Sequence, residues 1–312
     1  MSEPNTVVVL GGLGFVGSRV CHALVKQGYN VRIFDRPGVS RFRLAGIEER
    51  LTFTEGNYSD PDSVLAALDD AEIAINLVHT TVPAISMLDP MADVMDNVVA
   101  SIGWMRRLKE TRIRKLIYFS SGGTVYGSAT NPGLISEDSA CEPICAYGIS
   151  KLAIEKYTLM FCYQANICPL ILRPGNIYGP NPQFDRPQGL VGVLIAKALR
   201  NESIEVVGDG CAVRDYIFVD DVASAVTLLL SYHGNEHLFN IGTGVGHSIN
   251  DMIAILKRFI PIPDPQYVSA RSFDVESNIL DSSRLKRETG WQAVIPLNAG
   301  LLEVIRSAGR AI

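Results

Sequence analysis

Short β-branched apolar runs alternate along this chain with stretches whose apolar residues fall at helical spacing. Thr6 to Leu10 is such a run, and its unbroken hydrophobicity suits a strand buried on both faces. Ser18 to Gln27 then reads as a helix, Asn30 to Asp35 as a second strand, Leu51 to Glu55 as a third and Ala71 to Val78 as a fourth. Lys115 to Ser121 and Cys168 to Arg173 are the fifth and sixth. Between them lie a short helix at Ser63 to Leu68, after Asp60-Pro61, and two long helical patterns, Asp93 to Glu110 and Tyr147 to Tyr163. The alternation predicts an α/β fold with a doubly wound parallel sheet.

After Arg173 the rhythm changes. Gly179-Pro180-Asn181-Pro182 and Arg186-Pro187-Gln188-Gly189 read as loops. A helix at Leu190 to Leu199, a strand at Ile204 to Val207, a helix at Asp220 to Leu230, a strand at Leu238 to Ile241 and a helix at Ile249 to Phe259 follow. Residues 1–175 and 215–245 are expected to form the sheet domain, and 176–214 and 246–312 a smaller α/β lobe. No internal repeat or clean linker is visible.

The length of 312 residues permits a sizeable core, and 47% hydrophobic with 20% charged residues is an ordinary globular profile. A net charge of -5 without a basic block gives no support to nucleic-acid binding. The six cysteines are scattered with no metal-ligand spacing, which points to free thiols rather than a disulfide frame, and no metal is expected. The polar N-terminus lacks a signal-peptide pattern and no apolar run is long enough to span a bilayer, so a cytoplasmic protein without stable membrane insertion is expected.

Gly11-Gly12-Leu13-Gly14-Phe15-Val16-Gly17 sits between the first strand and its helix. Glycines three apart there permit a tight turn, close approach to a pyrophosphate and close helix packing, while the helix N-terminus offers free N–H groups to phosphate. Asp35, at the end of the second strand, can accept from both adenosine ribose hydroxyls and would repel a 2′-phosphate, favouring NAD over NADP. Arg36 beside it pulls the other way, since an arginine can face such a phosphate. Tyr147-Gly148-Ile149-Ser150-Lys151 places a phenol and an ammonium on one helical face. A free tyrosine ionises at about 10. A lysine charge and a cationic nicotinamide would each lower that toward the working pH of a general base.

With these motifs the chain resembles the extended short-chain dehydrogenase/reductase family, and within it the UDP-glucose and UDP-N-acetylglucosamine 4-epimerases. Ser120-Ser121-Gly122-Gly123-Thr124-Val125-Tyr126-Gly127, Arg173-Pro174-Gly175-Asn176-Ile177-Tyr178-Gly179-Pro180, Gly208-Asp209-Gly210, Arg214 to Val222, Asn240 to Gly244 and Gly290-Trp291 carry the resemblance over nearly the whole chain. It implies a Rossmann domain with bound NAD, held by Gly11, Gly14, Phe15, Val16, Gly17, Asp35, Arg36, Asn57, Tyr58, Leu77, Val78, His79, Asn97, Ser120, Tyr147, Lys151 and Pro174. His79 is expected to pack near the cofactor rather than transfer protons. Asn76 stands where the family usually has histidine. The resemblance also implies a UDP-sugar contacted by Thr124, Asn176, Gln188, Arg214, Arg271, Asp274 and Asn278, the arginines gripping the diphosphate through fixed bidentate bonds.

The family's usual Ser or Thr, four residues before the segment's tyrosine, is Gly122 here. Ser121 and Thr124 are the nearest hydroxyls and are expected to substitute in catalysis beside Tyr147 and Lys151. Related 4,6-dehydratases carry Asp-Glu where this chain has Gly123 and Thr124, which favours 4-epimerisation over dehydration. Asn278 falls where hexose-restricted epimerases have a tyrosine, and its smaller side chain implies room for an acetamido group, hence UDP-GlcNAc and UDP-GalNAc. Resemblance to bacterial O-antigen and surface-polysaccharide enzymes leaves a lipid-linked sugar diphosphate open, and a non-catalytic NAD-binding regulator is the reading from another class. The family also implies a homodimer pairing the two long helices through a four-helix bundle.

Overall fold

A computed structural model describes residues 6–128, 133–180, 189–269 and 275–309. In chain order its strands are β1 (Thr6–Leu10), β2 (Asn30–Asp35), β3 (Leu51–Glu55), β4 (Ile73–Asn76), β5 (Lys115–Phe119) and β6 (Cys168–Pro174). Then come β7 (Asn176–Tyr178), β8 (Glu205–Val207), β9 (Val213–Phe218), β10 (Leu238–Ile241), β11 (Gly246–Ser248), β12 (Gln266–Val268) and β13 (Ser277–Asn278). Seven of them form one sheet in the order β10-β6-β5-β4-β1-β2-β3, with every neighbouring pair parallel. This is the expected doubly wound Rossmann sheet. Its order reverses between β1 and β4, and such a reversal opens a crevice at the carboxyl ends of the strands.

The apolar run of β1 is buried on both faces. Val7 and Val9 pack with Val20, Leu24 and Ile33, whereas Val8 and Leu10 pack with Phe34, Trp104 and Tyr118. Burying each such side chain contributes about 1.5–3 kcal/mol, and β1 accordingly lies inside the sheet, between β4 and β2. A third core, around Leu194, Phe218, Met252 and Leu301, underlies a small sheet in which β9 lies between β11 and β13 with β7 alongside. Residues 283–291 return to the large sheet, where Leu285 and Trp291 join the core of Val222 and Val226. No described helix is long and apolar enough to cross a membrane.

One expected element is built differently. The pattern at Asp93 to Glu110 is not one α-helix: α-helical turns at Pro90–Asp93 and Ala100–Met105 flank a π-helical stretch, Val94–Val99, and a 3-10 turn closes it at Leu108–Glu110. The side chain of Asn97 donates to the Asp93 carbonyl at 2.9 Å. That carbonyl is the acceptor the α-helical ladder would give to Asn97's own N–H, so the ladder slips to the wider turn.

Candidate active site

The glycine turn has the geometry its sequence implies. Gly11 adopts φ +84°, and a β-carbon on Gly17 would lie 2.3 Å from the Gly11 carbonyl oxygen, so the Phe15–Lys26 helix rests directly on the turn. Its N-cap, Gly14, supplies no side-chain cap, which leaves the first N–H groups of the helix available to an anion. Leu77 and Val78 flank the turn, within 3.5 Å of where a Gly11 β-carbon would sit. Asp35 accepts from Leu13 N–H at 3.0 Å and from Arg36 N–H at 2.9 Å, which ties the end of β2 to the turn. Burial raises its carboxyl above the ordinary range, against the pull of those two bonds. Arg36 itself is exposed. Cradle, helix end and half-buried carboxylate together fit a dinucleotide.

Several expected cofactor contacts look elsewhere. The Tyr58 phenol is buried against Trp104 and bonded to Ser101 and Asn76, so its side chain belongs to the core. Asn76 thereby has a structural role, its carbonyl also accepting from Val78 N–H at 3.1 Å. Asn57 is exposed and closes a local turn on Ser59. Asn97 is 1% exposed, with its amide engaged by Thr80 and Asp93. The Ser120 hydroxyl donates to Glu155, a buried carboxylate already holding Arg173 at 2.9 and 2.6 Å. These side chains bond within the protein. Pro174 ends β6 buried, while Val16 packs on the sheet core.

A cleft of about 960 Å³ opens beside the start of the Ala146–Ala165 helix; Phe15, Ser121, Thr124, Tyr147, Asn176 and Arg214 lie on its wall. Tyr147 stands in the first turn of the Ala146–Ala165 helix, whose leading N–H groups find no cap in Cys145. Ser86, from the short Pro83–Ser86 helix at the cleft mouth, supplies one by accepting the Tyr147 N–H at 3.0 Å. One turn on, the Lys151 ammonium donates to the Phe119 carbonyl at 2.8 Å and lies 5.7 Å from the centre of the Tyr147 ring. Burial brings Lys151 down to about 7, with Glu155 and Asp93 opposing the fall. The Tyr147 phenol is raised, mainly by burial, with Cys145 and Asp93 adding to it. The expected lowering of the phenol by its lysine is therefore outweighed in the protein alone, because a low-dielectric site penalises both charges.

Gly122 has a physical reason. A β-carbon there would lie 2.6 Å from Leu280 Cδ1 and 2.9 Å from the Arg173 carbonyl oxygen, so a leucine fills the space a serine would need. Ser121 and Thr124 remain on the cleft wall, and Thr124 Oγ1 is buried without a hydrogen-bond partner among the described residues. The Tyr216 hydroxyl, on the same wall, is likewise unpartnered. Asn278 corrects an expectation. It is 1% exposed, donates to the Gly122 carbonyl at 2.9 Å, and is absent from the described lining, so it braces the Gly122 segment instead of gating the cleft by size. Gln188, Arg271 and Asp274 lie outside the described residues.

Asp93, which the sequence reading passed over, is wholly buried beside this site. It accepts from Thr81, from Ser150 at 2.5 Å and from Asn97 at 3.3 Å. Its only signal was an acid set among apolar residues.

The sequence profile of the NAD dependent epimerase/dehydratase family matches residues 7–242. The dTDP-4-dehydro-6-deoxyglucose reductase of Escherichia coli is 29% identical, over 98% of this chain and 98% of its own. The crystal structure of the Thermotoga maritima UDP-glucose 4-epimerase with UDP-glucose superposes with a TM-score of 0.90 at 30% identity, covering 98% of this chain and 99% of that one. The Methanobrevibacter ruminantium M1 UDP-N-acetylglucosamine 4-epimerase, in complex with UDP-N-acetylmuramic acid, gives 0.89 at 26% identity over 99% and 100%.

Proposed function

The chain belongs to the NAD-dependent epimerase/dehydratase family, and from that premise we propose that it is a UDP-sugar 4-epimerase acting on UDP-GlcNAc and UDP-GalNAc. The observation that carries the reading is the cleft wall: Tyr147 stands there one helical turn from Lys151, and no described residue lining it bears a carboxylate. A dehydratase needs further acid-base groups near C5 and C6. The glycine turn and Asp35 would hold NAD, which when bound would supply reversible hydride acceptance at C4.

Tyr147 takes the proton of the 4-hydroxyl and returns it after the 4-keto sugar has presented its other face. Lys151, held by the Phe119 carbonyl, favours the phenolate when charged. Thr124 offers its unpartnered hydroxyl to the reacting oxygen, with Ser121 beside it. Arg214 grips the diphosphate, with Arg271 as its expected partner, and Asn176 and Tyr216 face the sugar across the cleft. Gly123 brings no side chain to the cleft wall, which supports an N-acetylated sugar, as does the likeness to an N-acetylglucosamine epimerase.

A second substrate reading has one observation in its favour. Val82 and Ile85 line the cleft and are 50% and 57% exposed, an apolar mouth that suits a lipid-linked sugar diphosphate. Met95, Val99, Ile149, Met160 and Tyr163 are exposed on the two long helical segments and support the homodimer. Val99→Glu with Met160→Glu should give monomers on a sizing column. All six cysteines are free thiols, in keeping with a cytoplasmic protein.

The test is incubation with UDP-GlcNAc, UDP-glucose and a polyprenyl diphosphate sugar, without added cofactor, followed by product separation. Interconversion of the C4 epimers with no net change in nicotinamide is expected, and Tyr147→Phe should abolish it. A 4-keto-6-deoxy product, or conversion only with stoichiometric oxidation of a reduced nicotinamide, would overturn the epimerase.

A further inference from the structure

His79 sits deeper in the site than a loop-packing residue. Its side chain is 5% exposed and its ring meets that of Tyr147 edge to face, at 4.5 Å between centres and 72° between planes. Nε2 lies 3.5 Å from Asp93 Oδ1, and neither ring nitrogen makes a hydrogen bond among the described residues. Asp93 binds in two directions. Through Thr81 it holds the chain two residues beyond His79, and through Ser150 it holds the Tyr147 helix, at the residue before Lys151.

We propose that His79 and Asp93 are positioning residues for the tyrosine: the carboxylate fixes the imidazole and the helix together, and the imidazole fixes the phenol ring. This rests on the reading of Tyr147 as the acid-base group. A T-shaped aromatic pair is favourable beyond its buried area and prefers one ring orientation over others. In the Nε2–H tautomer the ring N–H points toward the Asp93 carboxylate, 3.5 Å away, as a triad histidine's N–H faces the buried acid that orients it. Burial, helped by the Lys151 charge, lowers His79 to about 2, so the ring stays neutral through the working range. It can then pack on the phenol without adding charge. Lys151, Asp93, Cys145 and Tyr118 are the other titratable groups around Tyr147, and of these Asp93 is a buried anion that opposes phenolate.

The experiment uses the full-length protein with UDP-GlcNAc, turnover followed against pH, and nitrogen-15 resonances of the histidine rings, with His79→Phe assigning the His79 signals. His79→Ala should lower kcat about tenfold or more with KM changed less than about threefold, because a small misplacement of the reacting group costs rate rather than binding. His79→Phe, which keeps a ring in the buried slot, should recover most of that loss. Asp93→Asn removes the opposing charge, so the acid limb of kcat should move to lower pH by about one unit. The wild-type His79 ring should remain the neutral Nε2–H tautomer well below the ordinary histidine range. Wild-type kcat in His79→Ala, no recovery in His79→Phe, an unmoved limb in Asp93→Asn, or a His79 ring titrating like a free histidine each overturns the proposal. A wild-type protein that epimerises no sugar defeats the functional reading instead, and the ring titration still tests the His79–Asp93 pairing.

Discussion

Gly122→Ser would restore the hydroxyl that the family usually carries at this place, and the packing predicts that the protein resists it. The new β-carbon would fall 2.6 Å from Leu280 Cδ1 and 2.9 Å from the Arg173 carbonyl, well inside contact distance. Leu280 is fully buried among Val125, Tyr126 and Ile135, so it has nowhere to retreat. Overpacking of this kind costs about 1–3 kcal/mol, against roughly 0.5 kcal/mol recovered by removing a glycine from a helical turn. Gly122→Ser alone should therefore destabilise. Leu280→Ala alone should cost about 2–5 kcal/mol through the cavity it leaves. Together each relieves the other, so the double variant should be more stable than the sum by about 0.5–3 kcal/mol. Urea unfolding with linear extrapolation measures all three. If the two single costs simply add, the account of why glycine occupies this place is wrong.

Other expectations follow from the same geometry. Tyr147→Phe should lower turnover by about 10²–10⁴-fold without loss of fold, read by rate and circular dichroism. Lys151, brought down to about 7 when folded and at an ordinary lysine value when unfolded, leaves the unfolded chain holding more protons between those values. Stability should thus rise with pH from about 7 to about 10.5, and Lys151→Met should flatten that rise in urea titrations at stepped pH. Glu155→Gln strips Arg173 of its buried partner and should cost about 3–5 kcal/mol, whereas loss below about 1 kcal/mol by urea unfolding would mean that the Tyr126 ring suffices to hold the guanidinium.

Much of the site could be read from sequence wherever its residues are neighbours in the chain. The glycine turn, Asp35 at a strand end and the Tyr147/Lys151 pair each follow from local spacing and the period of the element that carries them. What escaped depends on partners brought together by the fold. The fit of Gly122 rests on Leu280, and the bracing role of Asn278 on a carbonyl 156 residues earlier. The slipped turn at Val94–Val99 depends on one side chain choosing a main-chain acceptor, which periodicity does not register. The internal bonds of Tyr58 and Asn97 likewise depend on which way each side chain turns, which position along the chain does not fix.

Ser86 joins two structures: it ends the short helix whose Pro83, Ala84 and Ile85 line the cleft, and it caps the opening turn of the helix that presents Tyr147. A ligand that pushes this lining segment aside thus draws Ser86 from the turn just behind it. Admission to the pocket and readiness of its reactive end are one equilibrium, and a ligand that lets the segment settle back gains the repaired turn as part of its own affinity.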